Sequence, residues 1–247
     1  MWADFYRSDL QSVYALWVAP AFFLLYWLLS RSSGRPGVEP RATSFLNVYA
    51  PLFAIETVID PFATGPLLRW LHVEEPMTRY SMVAFVLLGD FRVYLLILFV
   101  LAPERGAAGA VVRAGLWTLV VPLFAWTANG LLESSFGKLP SQAIWIVYAL
   151  GFVAVALFLE LRVLPVSAGL RRFETHQYLR ALVRYVELYY ALWATADLLI
   201  VLRGLDWGWA LRVIPNQLYY AFWVPFAYLS FFSPRYAMRE RSIHASR

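Results

Sequence analysis

Cysteine is absent from this 247-residue chain, lysine occurs once, at position 138, and histidine only three times. Without a thiol there is no disulfide, no thiolate nucleophile and no Cys-ligated metal, and the redox compartment stays unmarked. His72 falls in a connection between apolar stretches, His176 in a basic loop and His244 in the C-terminal tail. A haem, di-iron or zinc centre inside a membrane would have almost no ligands to draw on, so no cofactor or metal is expected. A buried lysine for a retinal-type Schiff base is missing as well. Charge is the other scarcity: Asp, Glu, Lys and Arg make up 15% of the chain, where about a quarter is usual.

Apolar residues fill the space. The chain is 61% hydrophobic with a mean hydropathy of +0.58, and residues 10–30 run without a charge, long enough to cross a bilayer core as a helix of about 20 residues. Composition and length predict an all-α integral membrane protein of the cell membrane, multi-pass, with residues 1–247 as a single polytopic domain. Seven transmembrane helices are expected, at about 10–30, 44–60, 80–102, 111–133, 141–163, 182–202 and 210–232. The first is too long for a cleavable signal peptide and lacks a basic n-region, so it reads as a signal anchor. Turn formers separate the segments, as in Ser32 to Gly37, Pro103 to Gly106, Gly137 to Pro140 and Gly204 to Gly208. These connections are short, which makes neighbouring helices antiparallel.

The distribution of basic residues orients the chain, because cytoplasmic loops are enriched in them. Fourteen fall on one side: Arg31, Arg35, Arg41, Arg105, Arg113, Arg162, Arg171, Arg172, Arg180, Arg184, Arg235, Arg239, Arg241 and Arg247. Six fall on the other, namely Arg7, Arg69, Arg79, Lys138, Arg203 and Arg212, and Arg92 lies within a span. This bias predicts the N-terminus outside, the C-terminus cytoplasmic, and 233–247 as a basic cytoplasmic tail. The sequence pI of about 9.5 is explained by topology rather than by nucleic acid, since the arginines flank apolar segments. Residues 60–79 resist the scheme: Pro61, Gly65, Pro66 and Pro76 break them up while Phe62, Leu67, Leu68, Trp70 and Leu71 keep them apolar, so an outer interfacial flap is expected.

Two carboxylates sit in look-alike apolar settings, Glu56 in the second span and Asp197 in the sixth. An ionisable group inside a membrane is costly and marks a functional site by default. An offset of 141 aligns Tyr49 with Tyr190, Ala50 with Ala191, Glu56 with Asp197 and Ile59 with Ile200. A 3+1+3 parallel repeat about an axis along the membrane normal would follow. The third span adds Gly89-Asp90-Phe91-Arg92-Val93-Tyr94, in which Arg92 is the natural counter-ion for Glu56 or Asp197. Asn129 and Glu133 stack at i,i+4 near the end of the fourth span. Asn216, Gln217 and Tyr220 open the seventh, and Asp60 follows Glu56 by one turn. Glu56 and Asp197 are the expected catalytic pair. Asp60, Asp90, Arg92, Tyr94, Asn129, Glu133, Asn216, Gln217 and Tyr220 are the expected substrate contacts. The alternative for any one of these groups is helix-to-helix hydrogen bonding, worth about 0.6 kcal/mol. Glu160, Arg162, Arg184 and Glu187 read as interfacial or structural.

No P-loop, GxSxG elbow, HExxH or glycine-rich dinucleotide motif is present. The run from Glu74 to Arg79 matches the EExxxR string of intramembrane CAAX-type proteases, but that family also needs helix-borne histidines, absent here. The stretch from Asp197 through Arg203, Gly204, Trp207 and Trp209 to Pro215, Asn216, Gln217, Tyr219 and Tyr220 resembles the repeat unit of membrane-embedded lycopene cyclases. In that unit two acids stand where this chain has Asn216 and Gln217. Glu56 together with Asp90 to Tyr94 is similar to the fungal seven-helix meroterpenoid cyclases, whose catalytic pair is an intramembrane Glu and Asp. The resemblance implies acid chemistry on an apolar isoprenoid. Such a cyclase needs a carboxylic acid kept neutral by burial and aromatic faces for the carbocation, each worth about 2 kcal/mol when desolvated.

The expected function is therefore an intramembrane enzyme acting on an apolar isoprenoid or lipid by carboxylic acid and base chemistry, with membrane lipids and an apolar small molecule as partners. A seven-helix transporter or receptor for a small molecule or ion is the alternative, and a non-catalytic subunit of a membrane complex is the third reading.

Overall fold

A computed structural model describes residues 1–30, 40–166 and 173–233. Within them the chain is all-helical, with no strand. Arg31, Arg35, Arg171, Arg172, Arg235, Arg239, Arg241, Arg247 and His244, the turn after the first span and nearly all of the basic tail lie outside the described residues.

A short helix, α1 (Trp2–Arg7), leads into α2 (Leu10–Leu29), which opens with a π turn over Leu10–Tyr14. Then follow α3 (Pro40–Thr64), the one-turn α4 (Pro66–Trp70), α5 (Met77–Leu101), α6 (Gly106–Phe136), α7 (Ala143–Val166), α8 (Phe173–Arg203) and α9 (207–231). Helix α9 carries a second π turn over Gln217–Phe222. Six helical stretches are long and apolar enough to cross a membrane: Leu10–Leu29, Pro40–Trp70, Met77–Leu101, Pro103–Phe136, Ala143–Val166 and Thr175–Arg203. This is a helical membrane protein, and the seventh expected segment is helical too.

Helix α2 packs on α3, α3 on both α4 and α5, and from α5 to α9 each helix packs on the next; α2 also meets the π turn of α9, which closes the circuit. The axis is the second half of α5, where every residue from Arg92 to Val100 is buried. A helix apolar on all sides belongs in the middle of a bundle, and from Met82 to Leu101 α5 is such a helix except at Asp90 and Arg92. Helix α6 buries only Ala110, Ala114, Thr118, Val121 and Ala125, a stripe of three- and four-residue steps.

Residues 60–79 divide among three helices and a turn over 71–76, with Trp70 and Leu71 exposed. Helix α3 runs through Pro61 to Thr64, α4 takes up 66–70, and α5 begins at Met77. Pro61 is tolerated in the last turn because the backbone N–H it lacks removes only one hydrogen bond there. His176, Arg180 and Arg184 belong to α8, which starts well before residue 182. That first stretch buries Tyr178, Leu179, Leu182 and Val183 at helical spacing, so its partly polar composition hides a helix with one apolar face.

Candidate functional site

The ends of five helices meet at one end of the bundle and enclose a cavity of about 230 Å3. Asp60 and Thr64 come from the last turns of α3, and Met82, Val83 and Val86 from the first turns of α5. Helix α7 contributes Trp145, Tyr148 and Ala149; α8 contributes Tyr190, Trp193 and Asp197; α9 contributes Arg212, Asn216, Tyr219 and Tyr220. Tyr6 of α1 covers it from the side of the N-terminus. The spacing explains why these residues converge. Tyr190, Trp193 and Asp197 follow the i, i+3, i+7 pattern of one helical face, and Arg212, Asn216, Tyr219 and Tyr220 follow the same rule on α9.

Three carboxylates meet the cavity in different company. Asp197 is 1% exposed, and its Oδ1 accepts a 2.7 Å bond from Nη1 of Arg212. Arg212 in turn lies 5.0 Å from the Tyr6 ring centre and 5.2 Å from that of Trp209, within cation–π range. Asp60 is 3% exposed and forms no ion pair among the described residues. Among the described residues only the hydroxyl of its own helix's Thr64 comes within hydrogen-bond distance, at 3.3 Å, and its Oδ2 has no hydrogen-bond partner. Asp90 lies beneath the floor, fully buried, and accepts from three cavity-lining tyrosines: Tyr148, Tyr190 at 2.5 Å and Tyr219 at 3.2 Å.

Glu56 stands elsewhere. It does not line the cavity; its Oε2 accepts from Nη1 of Arg92 at 2.7 Å. The same nitrogen reaches the Thr57 hydroxyl at 2.7 Å, and Nη2 reaches the Tyr219 carbonyl at 2.6 Å. The Tyr219 carbonyl lies in the π turn, where i→i+4 bonding is interrupted and a carbonyl is free for a side-chain donor. Arg92 and Tyr185, which bonds the Leu218 carbonyl at 3.1 Å, thus brace the turn from outside.

Of the residues expected to touch a substrate, Asp60, Asn216 and Tyr220 line the cavity with Asp197. Asp90 acts on it through its tyrosines, and Arg92 lies behind Tyr219, 5.1 Å from its ring centre. Tyr94 points away from it and packs against Trp117 and Phe152. Gln217 is not in the lining, and Asn129 and Glu133 are on the second half of α6, beyond its last buried residue, Ala125. They continue the buried stripe of α6 in four-residue steps, but Asn129 is only half-buried and Glu133 is exposed, so the helix is no longer covered where they stand. Tyr6, Trp145, Tyr148, Tyr190, Trp193 and Arg212 also line the cavity, beyond the residues expected from the sequence. The stripes containing Asp197 and Asn216 were the available signal for Tyr190, Trp193 and Arg212; nothing in the sequence marks Trp145 or Tyr148.

Outside the cavity, α1 is tied across the start of α9. The backbone N–H groups of Trp2 and Ala3 donate to Asp206, at 2.9 and 3.2 Å, and Tyr6 packs on Trp209 at 5.6 Å. These N–H bonds, from Trp2 first, hold the Asp206 carboxyl below its ordinary range. No group of three or more metal-ligating side chains converges among the described residues. Comparison with family models, curated proteins and solved structures returns no match for this chain.

Proposed function

We propose that this protein is an intramembrane enzyme that rearranges an apolar isoprenoid or lipid in the aromatic cavity, with Asp60 and Asp197 as its acid and base. The observation that carries this reading is the unequal company of two carboxylates in one cavity. Environments that separate two acids divide the roles between them. Asp60, which forms no ion pair among the described residues, donates a proton to an alkene or epoxide of the substrate. Asp197, held by Arg212, accepts a proton from the cation that results. One proton enters and one leaves, so the net change is an isomerisation, and proton exchange with solvent resets the pair. Tyr6, Trp145, Tyr148, Tyr190, Trp193, Tyr219 and Tyr220 offer ring faces to the positive charge in between.

The cavity is below the roughly 300–1,000 Å3 of drug-sized sites, which suits the reactive end of a longer chain. Met82, Val83 and Trp145 both line it and are 47%, 45% and 39% exposed. A tail entering between α5 and α7 would pass over them from the bilayer. The arrangement is read as seven spans, with 207–231 as the last, the N-terminus outside and the cavity in the outer half.

The test is product formation in vesicles supplied with polyprenyl substrates, separated by chromatography. Asp60→Asn and Asp197→Asn are each expected to lose at least about a hundredfold, the lower end of general acid–base contributions. Full activity in both variants overturns the reading.

A transporter or receptor for an organic cation is the second reading, favoured by the unpaired Asp60 among aromatic rings. Saturable, Asp60-dependent binding of a quaternary ammonium ion, without turnover of any polyprenyl compound, would select it.

A further inference from the structure

A groove at the opposite end of the bundle takes no part in this chemistry. It lies between the first half of α3 and the last turns of α5, has a volume of about 790 Å3, and ends at the Pro103–Arg105 turn and the start of α6. Phe45, Val48, Leu52, Leu95 and Phe99 form its walls. Phe45 and Phe99 stack at 3.8 Å to make a flat floor, while Val48 and Leu52 are 67% and 57% exposed and leave one flank open to the bilayer. From Arg41 to Leu52 the helix rises roughly 16 Å at 1.5 Å per residue. One leaflet's hydrocarbon is about 15 Å deep, half of the ~30 Å core. The groove is one acyl chain long.

Its mouth decides the headgroup. Arg41, Ser44 and Glu104 stand there, and neither Arg41 nor Glu104 forms an ion pair among the described residues. A purely anionic headgroup would satisfy Arg41 and be repelled by Glu104. A choline headgroup would place a charge near Glu104 with no N–H to donate. A phosphate joined to a primary ammonium satisfies both ends with charge-assisted hydrogen bonds. We propose that this groove binds one glycerophospholipid with an ethanolamine headgroup, its phosphate on Arg41, its ammonium on Glu104 and one acyl chain along Phe45, Val48 and Leu52.

The experiment is native mass spectrometry of the full chain, delipidated in detergent and titrated with phosphatidylethanolamine, phosphatidylcholine or phosphatidylglycerol of identical chains. One ethanolamine lipid should be retained about tenfold more tightly than either competitor, equivalent to ~1.4 kcal/mol. Glu104→Gln should erase the preference over the glycerol headgroup, Arg41→Gln should weaken retention of all three, and Val48→Trp should fill the groove and abolish the site. An unchanged unfolding temperature in the two exposed-charge variants confirms that they are folded. Equal retention of the three lipids by the unaltered protein, or an unchanged ranking in Glu104→Gln, overturns the proposal and leaves only unselective boundary lipid.

Discussion

Gly89 makes room for Tyr219: a Cβ built at position 89 would collide with the phenolic oxygen of Tyr219, whose ring otherwise sits beside the α5 backbone. That hydroxyl shares its one hydrogen between the Val86 carbonyl, at 3.1 Å, and Asp90, at 3.2 Å. The ring cannot swing aside, because Tyr189, Trp193 and the Arg92 guanidinium surround it. Inside a helix, Gly→Ala normally stabilises by ~1 kcal/mol, whereas overpacking a filled site costs ~1–3 kcal/mol. The second effect wins here, so Gly89→Ala is expected to lower the unfolding temperature in detergent. Removing the hydroxyl with Tyr219→Phe in the same chain should recover part of the loss.

The buried pair of Glu56 and Arg92 gives a different expectation. Removing one partner of a buried pair leaves an uncompensated charge, at a cost of about 3–5 kcal/mol. Arg92 also holds the Tyr219 carbonyl and Thr57, so Arg92→Met should destabilise more than Glu56→Gln. The double variant Glu56→Gln with Arg92→Met should be more stable than Arg92→Met alone. A double-mutant cycle by thermal unfolding measures this, and purely additive losses would refute the coupling.

How much of this was open to a reader of the sequence depends on the kind of signal. An apolar run near 20 residues specifies a helix almost whatever its neighbours, which is why the segment at 10–30 agrees closely with α2. Amphipathic ends are weaker signals: α8 reaches back to Phe173 because Tyr178, Leu179 and Leu182 recur on one face, although polar residues separate them. Burial of Asp60 and Asp197 was readable from their apolar settings, but their partners were not. Arg92 stands out in the sequence as a counter-ion for Glu56 or Asp197, and only packing decides that it takes Glu56 while Arg212, in the second turn of the next helix, takes Asp197. Asn129 and Glu133 show a related limit: they continue the buried stripe of α6, and a sequence does not state how far along a helix its neighbours cover that face.

The docking of α1 should depend on pH through Asp206. Its folded-state carboxyl is depressed by the Trp2 and Ala3 N–H bonds. The sign follows directly: the contact's contribution is fully present above the ordinary carboxyl value of about 3.9 and is lost as pH falls through the lower folded value. From neutrality down to about pH 4 the helix should stay docked, and below that it should release and uncover Tyr6. Asp206→Asn should weaken docking above about pH 4 and remove this pH dependence. Hydrogen exchange at the Trp2 and Ala3 amides, corrected for intrinsic rates, reads both effects; equal protection in the variant would show that the aromatic contacts suffice.

Asp90 offers a test that separates support from chemistry. Its carboxylate gathers hydroxyls from three helices, Tyr148 of α7, Tyr190 of α8 and Tyr219 of α9, and so fixes the floor on which the cavity rests. A hydroxyl both donates and accepts, so the three can reorient around an amide, and Asp90→Asn should remain folded. Asp90→Leu leaves the Tyr148 and Tyr190 hydroxyls without their acceptor, at ~1–3 kcal/mol for each left unsatisfied, while Tyr219 keeps the Val86 carbonyl, and the variant should unfold at clearly lower temperature. Tyr190→Phe removes one bond to a charged group and should cost about 1.5–3 kcal/mol. Asp60→Asn, by contrast, removes no ion pair and leaves Thr64 its backbone bond to the Asp60 carbonyl at 2.8 Å. Its unfolding temperature should stay near that of the unaltered protein while turnover disappears. If Asp60→Asn instead unfolds as readily as Asp90→Leu, Asp60 is a structural group like Asp90 and the catalytic assignment falls with it.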